Sequence, residues 1–290
     1  MTVASAARQR RSFALIVTLL LVVLLATTVT QLVTATSVEA LRVSRGASTP
    51  AHELAVDSVL LVAAERLRNN PAVVRDLDRS GHHVFEIQLG DCHVRCRIVN
   101  DGAKFDVAAF AADGRSHLLK RKLRMLSRSF GLTGTRVRLR PVMTDGDSQP
   151  RRYVWFDQLL DEPDPSALFD WSHDSQRVVW SDVVTCFGGG VVDVRRARPE
   201  VLAALFDDVD RSIARKIVTA REKTPDDASD SLRNLLPDQR SEVQSRIAHG
   251  LNRYALNIET TIHADRRRWY VVATIGEASV DVHYRGQVRW

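Results

Sequence analysis

The chain has 290 residues, 44% of them hydrophobic and 26% charged, a balance that describes a folded protein and excludes an intrinsically disordered one. Half of its formal +6 charge comes from Arg8, Arg10 and Arg11 at the start. The rest is only mildly basic, so the charge gives little reason to expect a nucleic-acid partner.

After those arginines no charged residue occurs until Glu39. As a helix, Ser12 to Val38 would rise about 40 Å against a hydrocarbon core of about 30 Å. Residues 13–38 therefore read as one transmembrane helix in contact with membrane lipid, with the N-terminus cytoplasmic and the bulk of the chain outside. Val33-Thr34-Ala35 also suits a signal-peptide cut, which leaves simple secretion as the alternative at this point.

The next stretch, 51–70, has apolar residues at Leu54, Leu61 and Leu67 with Val62, Ala63 and Ala64 between. It predicts an amphipathic helix that stops at Asn69-Asn70-Pro71, where proline bars continuation. Residues 82–90 and 92–100 alternate apolar and polar side chains around Gly90-Asp91, which predicts a β-hairpin. A turn into a short extended piece follows at 101–110. Over 116–130 the pattern is helical, with Leu118, Leu119, Leu123 and Leu126 inward and basic residues outward.

Residues 131–175 concentrate proline, aspartate and glycine and read as loop with one short helix near 154–160. Three glycines, 188–190, precede a short strand. Two helical segments then run over 198–223 with a break at Asp207-Asp208, and another helix is expected over 238–249. Strands at 254–264, 268–276 and 278–290 close the chain as an antiparallel meander.

A helical block between two groups of strands implies one α+β domain carrying an insertion. The parts are a leader (1–12), the membrane helix (13–38), an exposed helix and first strands (39–110), an inserted helical domain (111–250) and C-terminal strands (251–290). The two strand groups should form one antiparallel sheet against the exposed helix.

Few residues invite chemistry. Cys92, Cys96 and Cys186 would sit in an oxidising compartment, where a disulfide can persist. Residues four apart on one strand stand about 13 Å apart, so Cys92 and Cys96 pair only if the strand turns between them, and a bond from either to Cys186 is equally open. Asp145 with Asp147, and Asp207 with Asp208, are candidate ligands for a hard cation such as calcium, although neither group follows the EF-hand spacing. No cofactor is otherwise expected. No catalytic motif is present, so no catalytic residue is named and an enzyme is not expected. The basic runs at 120–128, 151–153 and 266–268 read as solvated faces. The helices at 199–221 invite a helix-hairpin-helix reading, but their hairpin lacks glycine and carries Asp207, Asp208 and Asp210, which would repel a phosphate.

The assembled pattern resembles the minor pseudopilin K family of type II (general) secretion systems. Residues 8–33 look like its class III leader and apolar stem. VRCRIVNDGAKFDVAAF (94–110) resembles its run in which an acidic turn and a lysine leave the first strands. GGGVVDVRRARPEVLAALFDDVDRSIARKIVTAR (188–221) resembles its second such run with paired helices of helix-hairpin-helix, or SAM-like, type. The chain departs from the family at Ser12, where glycine is usual, and at Val192 to Ala197, where the family has N-x-N-T-A. Its acidic calcium-associated stretch is reduced to the fragment Phe169-Asp170-Trp171.

The resemblance implies a pilin-like fold in the inner membrane and cleavage by a prepilin peptidase between Ser12 and Phe13. It also implies assembly through the packing of Phe13, Leu15, Ile16, Val17, Leu20 and Leu24. The fifth mature residue, a glutamate in most pilins, would be Val17 and offer no carboxylate to a subunit stacked above. That suits a tip subunit that, with other minor pseudopilins and an inner-membrane assembly platform, starts and caps a periplasmic fibre. The competing expectation is a membrane-anchored DNA-binding protein using the 199–221 helices.

Overall fold

The computed structural model describes residues 27, 31, 49–107, 116–132, 136–139, 155–161, 164–169, 178–206, 211–223, 245–248 and 250–288. The chain divides into two units, Met1–Glu53 and Leu54–Trp290. In the first, residues 27, 31 and 49–53 are helical. The predicted membrane span and the leader lie outside the described residues except for those positions. Among the described residues no helix is long and apolar enough to cross a membrane.

The second unit opens with helical residues 54–69 (α1). The helix stops there, as the proline suggested, and a second one begins at once. Asn70 accepts a hydrogen bond from the Ala72 amide, Pro71 takes the first helical position, and a second helix, α2, runs Pro71–Ser80. Proline is at home there because that position has no intrahelical partner for an N–H. Gly81, at φ 79°, ends α2 and returns its amide to the Leu77 carbonyl.

Strands β1 (His82–Leu89) and β2 (Cys92–Asn100) form the predicted hairpin, with Leu89 opposite Cys92. The C-terminal strands are β9 (Arg253–Ile262), β10 (Asp265–Ile275) and β11 (Val280–Gln287). All five form one antiparallel sheet in the order β1-β2-β9-β10-β11. Its central pairing joins β2 to β9, with Asn100 opposite Tyr254, so residues 101–252 leave and return at one end of neighbouring strands. The sequence reading sets the inserted segment at 111–250.

Each sheet face covers a separate core, because successive side chains on a strand point opposite ways. One face presents Val94, Cys96, Ile98, Leu256, Ile258 and Val271 to α1, which buries Val56, Val59, Leu60, Ala63 and Leu67 against them. The register of α1 differs from the sequence reading: Leu54 and Leu61 are 68% exposed. The buried set is interspersed with small alanines, and it is these that let the helix lie close to the sheet. The other face presents Ala255, Tyr270 and Val272 to the insertion.

Within the insertion lie β3 (Phe105–Asp106), α3 (Ser116–Phe130), β4 (Arg136–Val137), β5 (Leu160–Asp161), α4 (Pro165–Leu168), α5 (Trp180–Val183) and β6 (Val184–Thr185). Then follow β7 (Val192–Asp193), α6 (Pro199–Leu205), α7 (Arg211–Lys223) and β8 (Ile247–Ala248). Leu119, Leu123 and Leu126 of α3 are fully buried as predicted. The short helix expected near 154–160 is a single 3-10 turn, Phe156–Gln158, leading into β5. The end of the helix expected at 238–249 is strand β8. Trp155 stacks on Tyr284 at 4.9 Å, and Phe187 on Tyr284 at 4.6 Å, which fastens the insertion to the last strand.

Candidate functional site

The polar feature most isolated from solvent is the junction where the insertion leaves and re-enters the sheet. The exit strand β2 ends at Asn100, whose side chain accepts the Ala103 amide and holds the 3-10 turn Asp101–Ala103. This turn delivers Asp101 into the core, where it is fully buried. Its Oδ1 lies 2.9 Å from the Lys104 ammonium. Its Oδ2 accepts from Arg253 Nε at 3.1 Å and from the Thr185 hydroxyl at 2.9 Å. Arg253 opens β9, so one carboxylate ties exit, re-entry and the middle of the insertion together. Arg253 Nη1 also donates to the Gly188 carbonyl at 2.6 Å.

A second carboxylate, Asp106, accepts the Gly190 amide at 2.6 Å. A side chain at Gly188 would collide with it, since a Cβ there would stand 1.8 Å from Asp106 Oδ2. A third, Asp193, accepts the amides of Arg195 at 3.0 Å and Leu251 at 3.1 Å. Burial pushes the Asp193 carboxyl above the usual range, opposed by those backbone donors. The Tyr270 hydroxyl, 3.5 Å from Lys104 Nζ, is driven well up by burial and then by the Asp101 charge. The arrangement is a set of charge-assisted ties, closed to solvent, whose chemistry is mechanical: it fixes the insertion on the sheet.

These are the residues of the two runs singled out in the sequence, and the structure brings them together. Phe105–Asp106 pairs in parallel with Val184–Thr185. Sequence reading located the runs but missed Arg253 and Thr185, which lie far away in the chain with no local signal.

The other predicted sites fare differently. The three cysteines, candidates for a possible disulfide, are buried free thiols in this structure. The strand does not turn between Cys92 and Cys96, which pair in unbroken register with Ile262 and Ile258, and Cys186 packs in the core on the opposite sheet face. Burial raises the Cys92 and Cys186 thiols, the latter well above its ordinary value. Asp145, Asp147, Asp207 and Asp208 lie outside the described residues, as do Ser12, Phe13, Leu15, Ile16, Val17, Leu20 and Leu24. Among the described residues no group of three acidic, histidine or cysteine side chains is placed to hold a metal. Arg221, on the helix pair that suggested a DNA clamp, turns inward and donates to the carbonyls of Val194 at 2.9 Å and Ala197 at 2.6 Å.

Strands β7 and β8 enclose α6 and α7: Val192 pairs with Ile247 and Asp193 with Ala248, in parallel. The segment between these strands, residues 192–248, matches the family model for type II secretion system protein K. Over that segment the chain is similar to the protein K family. The match begins and ends on the two paired strands, so it covers one structurally closed piece of the insertion with Asp193 at its base. No curated protein matches the chain. The fold is also similar to a chain in the crystal structure of the GspK-GspI-GspJ complex from the enterotoxigenic Escherichia coli type 2 secretion system. That likeness has a TM-score of 0.46 and 11% identity over 85% of this chain and 100% of that chain, too distant to carry an argument about function.

Proposed function

We propose that the chain is a minor pseudopilin of a type II secretion system, acting at the tip of its periplasmic fibre. The observation that carries the reading is the protein K match over residues 192–248. The arrangement of α1 on a five-stranded sheet with the insertion clamped to its far face is consistent with it. In this reading the chain is not an enzyme. Its apolar helix anchors it in the inner membrane, and prepilin peptidase cuts between Ser12 and Phe13. Assembly then proceeds through Phe13, Leu15, Ile16, Val17, Leu20 and Leu24, with other minor pseudopilins and the inner-membrane platform as partners. Val17 at the fifth mature position leaves no carboxylate to neutralise an ammonium stacked above, and a lone charge there would cost several kcal/mol. The insertion, held rigid by Asp101 and Arg253, serves as the cap.

The test is the N-terminal mass of the chain co-expressed with the prepilin peptidase of its own system, followed by capture of minor pseudopilins on the mature chain. A chain beginning at Phe13 that retains those partners supports the proposal. A chain still uncut after Ser12→Gly, or one beginning at Thr36, refutes it.

A further inference from the structure

The chain's basic runs do not share one fate. On the sheet, each arginine of the run at 266–268 is ion-paired: Arg268 and Arg266 reach Glu259 at 2.8 and 3.8 Å, and Arg267 reaches Asp265 at 3.0 Å. Three members of the run on α3 are not. Lys122 turns inward and donates to the Phe206 carbonyl at 3.2 Å. Lys120, Arg124 and Arg128 line the exposed face, and none makes an ion pair with a described residue. Beyond the helix, Arg136 and Arg138 of the β4 segment form the facing wall of a groove of about 500 Å³. Arg138 is held by Asp161 at 3.2 Å, while Arg136 has no such partner among the described residues. Among the described residues, two elements thus bring five cations and a single carboxylate to the lining of one concavity.

We infer that this groove docks an acidic polypeptide segment in extended conformation. Residues four apart on α3 are spaced by a rise of about 6 Å, so Lys120, Arg124 and Arg128 form a row with that repeat. Alternate side chains on one face of an extended peptide repeat at about 6.6 Å, so carboxylates at every second position match the row. The arginine forks on both walls suit carboxylates in paired hydrogen bonds. A single-stranded nucleic acid is a poorer fit, because such sites stack bases on aromatic rings and the described lining has none. The inference does not depend on the secretion reading.

The experiment is fluorescence anisotropy of a labelled peptide of alternating glutamate and serine titrated with the full chain in neutral detergent. Saturable binding is expected that weakens as ionic strength rises through about 0.15 M, where charges are screened beyond about 8 Å. Arg124→Gln with Arg136→Gln should weaken it about tenfold through loss of two exposed charge pairs, and Arg266→Gln should leave it unchanged. Lys120→Gln with Arg128→Gln reads the same wall should the first pair fail to fold, with far-UV circular dichroism as the check. Absence of binding, binding indifferent to these substitutions, or tighter capture of phosphatidylglycerol vesicles or an oligothymidine strand by the same arginines would overturn the inference.

Discussion

Replacing Asp101 with alanine removes the anion that three donors share. Lys104 at 2.9 Å and Arg253 at 3.1 Å would remain as cations in a dry core, and the Thr185 hydroxyl at 2.9 Å would lose its acceptor. Breaking a buried pair by deleting one partner costs about 3–5 kcal/mol, mostly for the charge left behind. Arg253 keeps the Gly188 carbonyl and Lys104 keeps the Tyr270 hydroxyl, which places the expected cost near the low end, about 3 kcal/mol. With a urea dependence of about 1–3 kcal/mol per molar, the midpoint should fall by about 1–3 M. Tryptophan fluorescence during urea unfolding of the full chain in neutral detergent reads the shift. Adding Lys104→Met removes one stranded cation, so the double variant should cost less than the sum of the singles by about 0.5–3 kcal/mol. A cost for Asp101→Ala below about 1 kcal/mol, or strict additivity in the cycle, would refute the view of the junction as a clamp.

Neighbouring leucines of α1 should part company: Leu60→Ala is expected to cost about 2–5 kcal/mol and Leu61→Ala less than about 0.5 kcal/mol, measured by the same unfolding curves. Gly188→Ala should destabilise more than Gly90→Ala. The first drives a Cβ into Asp106, whereas the second meets open space and pays only for its φ of 56°, about 1–2 kcal/mol. Stability should also fall at alkaline pH. Burial holds the Cys96 and Cys186 thiols protonated in the folded chain, while in the unfolded chain they ionise near pH 8.5. The stabilisation is therefore complete below about pH 8.5 and is lost above it, at up to about 1.4 kcal/mol per pH unit for each thiol. Urea midpoints across that range should decline more steeply for the native chain than for Cys96→Ala with Cys186→Ala.

Where a segment's partner lies next to it in sequence, the pattern alone was enough. The alternation around Gly90-Asp91 located both hairpin strands, and the leucine spacing of 116–130 located α3 with Leu119, Leu123 and Leu126 inward. Where the partner is remote, the joining of the two strand groups into one sheet was legible, but the residue-level contacts were not. The sequence offers Leu54 and Leu61 as core because they are large and correctly spaced. The sheet instead selects the adjacent face, with Ala55, Ala63 and Ala64, because the helix can approach it more closily. Pro71 stops one helix and starts the next, and only the Asn70 cap reveals the second role. Asp101, Lys104 and Asp106 look like an ordinary polar turn until Arg253 and Thr185 arrive from distant positions to bury them. The same holds for the basic groove, which needs β4 beside α3.

The pairing of β2 with β9 also dictates an order of events as the chain is made. The β1–β2 hairpin can close locally as soon as it emerges, but its other neighbour, β9, begins only at Arg253. Closing a loop of that length is slow, so the hairpin must wait for the entire insertion. Until then the inner edge of β2 is unpaired, and its side chains, Cys92 and Cys96 among them, lack half of the sheet that later covers them. An open strand edge invites strand-to-strand aggregation, and accessible thiols invite wrong disulfides wherever the surroundings are oxidising. The finished fold pairs this edge with β9 and buries both thiols; the nascent one does neither, and a folding helper would have to guard the edge until the last strands arrive.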